Sequence, residues 1–160
     1  MLTPRVLVID NNASLAETVA EVLSERGFTV HTAFSGVEAL ALWRRQPADL
    51  VMVDVDLPDI GGLVLARRLL RRAEGVRLVV MSAGEQERLM RLCDELGAAL
   101  LSKPFSPSGL IATIRRVLER HAAKGWAAAA PQHDASRLLG PRCPRALLQH
   151  SRPLPRRNRK

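Results

Sequence analysis

The chain has 160 residues, of which 47% are hydrophobic and only 3% aromatic, with no tyrosine, and it carries a formal charge of +8. That length fits one domain with something left over; no apolar run reaches the roughly 18 residues of a membrane span, and the start, MLTPRVLVID, lacks the apolar core of a secretory signal. The charge resembles that of a nucleic-acid binder until it is divided along the chain: residues 1–124 hold 16 Lys and Arg against 15 Asp and Glu, whereas residues 125–160 hold 8 against 1. The basicity therefore belongs to the tail. Cys93 and Cys143 have no metal-ligand spacing and read as reduced thiols, which places the protein in the cytoplasm.

In chain order, strand-like and helix-like patterns alternate. Arg5–Ile9 is a β-branched run ending at Asp10 and Asn11. Leu15, Val19, Val22 and Leu23 recur at helical spacing, with Asn12 as cap and Gly27 as stop. Phe28–Thr32 reads as a second strand. Ser35 caps a second helix whose stripe is Val37, Leu40, Ala41 and Trp43, with the Trp43 N–H expected near solvent. The stretch DLVMVDVDLPDIGG, residues 49–62, is the centre of the chain. Its apolar run Leu50–Val53 ends in a carboxylate, Asp54, and Pro58, Gly61 and Gly62 stop the strand from continuing.

A third helix, Gly62 to Ala73, carries Leu63, Ala66, Leu69 and Leu70 on one side and Arg67, Arg68, Arg71 and Arg72 on the other, a cluster that reads as a solvated face. Val76–Met81 is a fourth strand ending at Ser82. Glu85 to Leu96 is a fourth helix with Leu89, Leu92 and Leu96 inward, and Ala98–Leu101 is a short fifth strand ending near Lys103. Ser106 and Pro107 supply an N-cap and a first-turn proline for a fifth helix striped by Leu110, Ile111, Ile114, Val117 and Leu118.

Five such units with near-continuous apolar strands imply an α/β fold with a parallel sheet covered on both faces. Right-handed crossovers and short loops favour a doubly wound, flavodoxin-like sheet of strand order 2-1-3-4-5. The expected division is a domain over residues 1–124 and a basic, Pro- and Arg-rich tail over 125–160. The tail contains five prolines and no sustained period, so disorder is expected there. His31 and His121 have no neighbours in the sequence that give them a role.

Asp10, Asp54, Ser82 and Lys103 all fall at the carboxyl ends of strands one, three, four and five, where ligands bind in open parallel sheets. Two carboxylates there suit a hard divalent cation such as Mg²⁺, which keeps several waters. A hydroxyl and an ammonium beside them can hold phosphoryl oxygens, which makes Asp54 a nucleophile able to form an aspartyl-phosphate. A strand-end Asp or Lys alone is weak evidence; four in register on four strands is not.

With those residues in view, positions 3–123 resemble a response-regulator receiver domain of two-component signalling. The matching stretches are VLVIDNN, SGVEALAL, DLVMVDVDLPDIGGL, VVMSAGE and LLSKPF. The resemblance implies that Asp54 accepts a phosphoryl group from a histidine kinase or histidine phosphotransfer partner. It also implies that Asp10, Asn11, Asp54 and the Asp56 carbonyl form a Mg²⁺ site, and that Ser82 and Lys103 hold the phosphoryl group. It further implies a cis peptide before Pro104 and a domain that catalyses its own phosphorylation and dephosphorylation rather than a metabolic reaction. With no DNA-binding output pattern in the chain, the signal is expected to leave through protein contacts at the helix 4–strand 5–helix 5 face, with Glu85, Arg88, Arg91, Arg115 and Glu119 as exposed candidates.

Two positions depart from the family pattern. The second of two adjacent acids after strand one is here Asn11, which weakens any cation site. Leu100 stands where many receivers carry an aromatic ring that rotates inward on activation. The serious rival reading is therefore a receiver-like binding module that works without phosphorylation. A dinucleotide-binding domain is disfavoured because no G-x-G-x-x-G follows strand one, and Asp54-Val55-Asp56 matches a DxD phosphatase only locally.

Overall fold

The structure is a computed structural model describing residues 3–71, 75–84 and 86–122, the last three without side-chain detail. Arg72, Glu85, the His121 side chain, Cys143 and the tail 125–160 lie outside the described residues. Strands and helices alternate strictly: β1 Arg5–Ile9, α1 Ala13–Ser24, β2 Thr29–Ala33, α2 Gly36–Arg45, β3 Leu50–Asp54, α3 Gly62–Leu70, β4 Arg77–Ser82, α4 Gln86–Leu96, β5 Ala99–Ser102 and α5 Pro107–Ala122.

All pairings are parallel, and the strand order is β2-β1-β3-β4-β5, the doubly wound, flavodoxin-like arrangement expected from the sequence. Alternate residues of each strand feed two separate cores. Leu7, Ile9, Val51, Val53, Leu78 and Val80 pack under α2, α3 and α4, while Val6, Val8, Leu50, Met52, Val79 and Met81 pack under α1 and α5. Burial on both sides is why these strands read as continuous apolar runs rather than alternating ones.

The helix starts follow the sequence closely. Asn12 Oδ1 accepts a hydrogen bond from Leu15 N at 3.1 Å, Ser35 Oγ from Glu38 N at 3.2 Å, and Ser106 Oγ from Gly109 N at 3.1 Å. Gly27 closes α1 with φ +84°, a left-handed conformation that side chains other than glycine rarely adopt.

Several details differ from the sequence expectations. β2, β4 and β5 each begin one residue later and end one residue later than read. Phe28, Val76 and Ala98 pack inward from the preceding loops, and the ladder extends instead to Ala33, Ser82 and Ser102. The α2 stripe is Gly36, Ala39 and Trp43, with Val37 45% exposed and Ala41 also exposed, because the packing of Gly36 on Ile60 sets the helix phase. Trp43 is 1% exposed and its indole nitrogen is buried, so the N–H does not reach solvent. In α3, Leu65 is buried where Leu63 is only half-buried, and in α4, Cys93 takes the core position while Leu92 and Leu96 are half-buried. Arg67, Arg68 and Arg71 are exposed, as expected for a solvated face.

Candidate functional site

Strand register brings the candidate residues to one edge. Ile9 pairs with Val53, so the residues that follow them, Asp10 and Asp54, leave β1 and β3 side by side. Ser82 ends β4 opposite Ser102 of β5, and Lys103 N then donates to Ser82 O at 2.7 Å. The peptide that follows, Lys103–Pro104, is cis.

At that edge the Lys103 ammonium joins the two carboxylates. Its Nζ lies 2.7 Å from Asp10 Oδ2 and 3.0 Å from Asp54 Oδ2. Asp10 is 0% exposed and Asp54 5%, so neither carboxylate can rely on bulk water for compensation. Burial pushes the Lys103 pKa down, but hydrogen bonds and charge attraction from Asp10 and Asp54 outweigh it and leave the group above its ordinary value. Lys103 therefore stays protonated, and its ammonium sits between two carboxyl groups.

The two carboxylates are held differently. Both Asp10 oxygens are engaged, Oδ2 by Lys103 and Oδ1 by Asn12 N at 2.9 Å. Asp54 Oδ1 has only a long contact of 3.4 Å from Asp56 N. Asp10 is a fixed anchor, whereas Asp54 keeps an oxygen available for chemistry. Ser82 is 5% exposed on the neighbouring strand. Its hydroxyl accepts from Gly84 N at 3.1 Å and reaches Gly84 O at 3.3 Å, so in this structure it turns into its own loop rather than onto Asp54.

The structure thus joins Asp10, Asp54 and Lys103 directly and sets Ser82 beside them. The side chains of Asn11 and Asp56 are exposed and make no hydrogen bond to the two buried carboxylates; Asp56 meets Asp54 through its main-chain N. Among the described residues no group of three or more His, Cys, Asp or Glu side chains is arranged to hold a metal. The ligand atoms that Asp10 and Asp54 offer are nevertheless all carboxyl oxygens. That set fits Mg²⁺, which takes one or two carboxylates and keeps water for the rest of its shell.

Gly62 was read from sequence as a strand breaker and as the start of the third helix, yet it is also part of this site. Its N donates to Val55 O at 3.0 Å, and a Cβ there would collide with the Asp54 carbonyl. The available signal was a glycine at the first position of a helix eight residues after Asp54. Leu100 is half-buried at the α4 side of β5.

Residues 6–115 match the family model of the response regulator receiver domain. The chain belongs to that family. The DNA-binding response regulator MtrA of Mycolicibacterium paratuberculosis is 37% identical over 118 residues, 73% of this chain and 52% of that protein. The transcriptional regulatory protein CreB of Escherichia coli is 34% identical over 118 residues, 72% of this chain and 51% of that one. The chain thus spans about half the length of the curated relatives it matches.

Among solved structures, a CheY-like receiver domain protein from Methanospirillum hungatei superposes with a TM-score of 0.72 at 22% identity, over 78% of this chain and all of the other. The chemotaxis protein CheY4 of Vibrio cholerae gives 0.67 at 26% identity, over 72% and 99%. The receiver fold is shared in full. No helix among the described residues is long and apolar enough to cross a membrane.

Proposed function

We propose that this receiver domain accepts a phosphoryl group on Asp54 from a phosphohistidine of a histidine kinase or histidine phosphotransfer protein. The observation that carries the reading is the Lys103 ammonium held between Asp10 and Asp54 at 2.7 and 3.0 Å, with one Asp54 oxygen only loosely engaged. That oxygen attacks phosphorus, an O–P bond forms, and the N–P bond to the imidazole breaks, the ring taking up a proton as it leaves. Lys103 then moves its hydrogen bond from the carboxylate to a phosphoryl oxygen. Ser82, one strand away, supplies a hydroxyl to another oxygen once its bond to the Gly84 loop is released. Mg²⁺, when bound by Asp10, Asp54 and the Asp56 carbonyl, supplies neutralisation of the charge that develops on the phosphoryl oxygens.

The output of such a domain is a protein contact, and the α4–β5–α5 face offers exposed Arg88, Arg91, Arg115 and Glu119 for it. Treatment with acetyl phosphate and Mg²⁺, followed by intact-mass measurement, should show one phosphoryl adduct that is lost in Asp54→Ala. An adduct that persists in the variant rules Asp54 out. A second reading rests on Asn11, exposed and uncharged where the family carries an acid: a binding module that signals without phosphorylation. No adduct in the wild-type protein at millimolar Mg²⁺ would favour it.

A further inference from the structure

The loop that carries Asp56 is fastened to a helix distant in sequence. Two amides of the first turn of α2, Gly36 N and Val37 N, donate to Asp59 Oδ1 and Oδ2, each at 2.8 Å, across 23 and 22 residues of sequence. The Ser35 cap of α2 satisfies only the third amide, Glu38 N. The remaining donors of a helix start need an acceptor, and a carboxylate there also meets the positive end of the helix dipole.

Asp59 is part of a short, well-pinned loop. Asp56 N reaches Asp54 Oδ1 at one end, and Gly62 N returns to Val55 O at the other. Between them Ile60 packs so closely on α2 that a Cβ at Gly36 would lie 2.9 Å from Ile60 Cβ and 3.3 Å from Asp59 Oδ1. Slight burial raises the Asp59 carboxyl, and backbone hydrogen bonds from Gly36, Val37, Ile60 and its own amide more than reverse this, so it is ionised at neutral pH.

We infer that Asp59 is a positioning residue for phosphoryl transfer: by binding the start of α2 it holds residues 55–61 so that the Asp56 main chain stays against the acidic pocket. The inference rests on the reading of Asp54 as phospho-acceptor. Without Asp59 the middle of the loop loses both hydrogen bonds to α2 and keeps only the apolar contact of Ile60. The Asp56 amide and carbonyl, three residues away, then sample positions off the site. The consequence is a weaker affinity for the cation rather than a slower step once the cation is bound.

The test compares the whole 160-residue chain as wild type, Asp59→Ala, Asp59→Asn and Ser35→Ala. The last removes an α2 cap without touching the loop. Without Mg²⁺ or phosphodonor, amide exchange at Gly36 and Val37 should quicken in Asp59→Ala. Calorimetric Mg²⁺ titration should show affinity lowered on the order of tenfold, as for other residues that orient metal ligands, with Asp59→Asn in between. The Mg²⁺ concentration for half-maximal labelling by acetyl phosphate should rise by a similar factor while the saturating rate holds, and Ser35→Ala should leave it unchanged. Equal shifts in Ser35→Ala and Asp59→Ala, or no shift in Asp59→Asn and Asp59→Ala while wild type labels normally, overturn the positioning role and leave the Asp54 reading standing. A wild-type protein that forms no adduct removes the Asp54 reading, and this inference with it.

Discussion

Gly62 backs directly onto Asp54: a side chain at residue 62 would occupy the space of the Asp54 carbonyl, with Val55 Cα only 3.0 Å away. The start of α3 and the end of β3 therefore touch main chain to main chain, and the position of Asp54 depends on the absence of one methyl group.

Replacing Gly62 by Ala should consequently destabilise the domain by about 2 kcal/mol, near the middle of the range for overpacking against atoms that cannot yield easily. Gly61→Ala is the control. Nothing lies within 4 Å of its Cβ position and its φ is −50°, so the unfolding free energy from urea titration should change by no more than about 0.5 kcal/mol. Equal losses in the two variants would mean that α3 shifts freely to accommodate residue 62.

Lys103 offers a second test. Lys103→Met leaves two buried carboxylates facing each other with no cation between them, so labelling by acetyl phosphate should fall by about 100-fold, as for loss of one charge-stabilising donor. The pH dependence follows from the upward shift of Lys103. Its folded-state pKa exceeds the ordinary 10.5, so its contribution to stability is fully present below pH 10.5 and lost as pH rises through the folded value. Urea unfolding of wild type should weaken above that pH, and the same alkaline loss should be reduced in Lys103→Met.

Cys93 is buried at the α4 core position, and burial, followed by the nearby Asp94 charge, pushes its thiol up to about 11. At pH 7.5 almost none of it is thiolate, the form that reacts. Iodoacetamide followed by peptide mapping should modify Cys93 slowly in the native protein and rapidly in urea. Fast native labelling would show that α4 opens on the timescale of the reaction.

The fold and the three joined residues were legible in the sequence because each leaves a local mark. Apolar runs that end in a carboxylate or lysine place Asp10, Asp54 and Lys103 at strand ends without further information. Helix faces were harder. Val37 was read as core and is exposed, and Leu63 only flanks the core, because an apolar stripe of a few residues fits more than one rotation; in α2 the packing of Gly36 on Ile60 selects the phase. Asp59 and Gly62 were missed for another reason. Their partners, the α2 amides and the Asp54 carbonyl, are backbone groups that no residue type announces.

Asn11 gives the last prediction. It is exposed, its side chain makes no hydrogen bond to the buried carboxylates, and its neighbour Asp10 is already tied to Asn12 N and Lys103. In Asn11→Asp a further carboxylate is added near a pocket that already holds two carboxyl groups around one ammonium. Because the position is exposed, the cost without cation should stay within about 0.5 kcal/mol. With Mg²⁺ present the added charge becomes an attraction at close range, and affinity should rise by about tenfold, or about 1.4 kcal/mol. Labelling by acetyl phosphate at low Mg²⁺ should rise in parallel, while at saturating Mg²⁺ the two proteins should converge. Calorimetric titration of both proteins without phosphodonor separates binding from chemistry. Equal affinities would place residue 11 outside the reach of the ion, and any weakness of the cation site would then have to be traced to Asp10, whose two oxygens are already engaged.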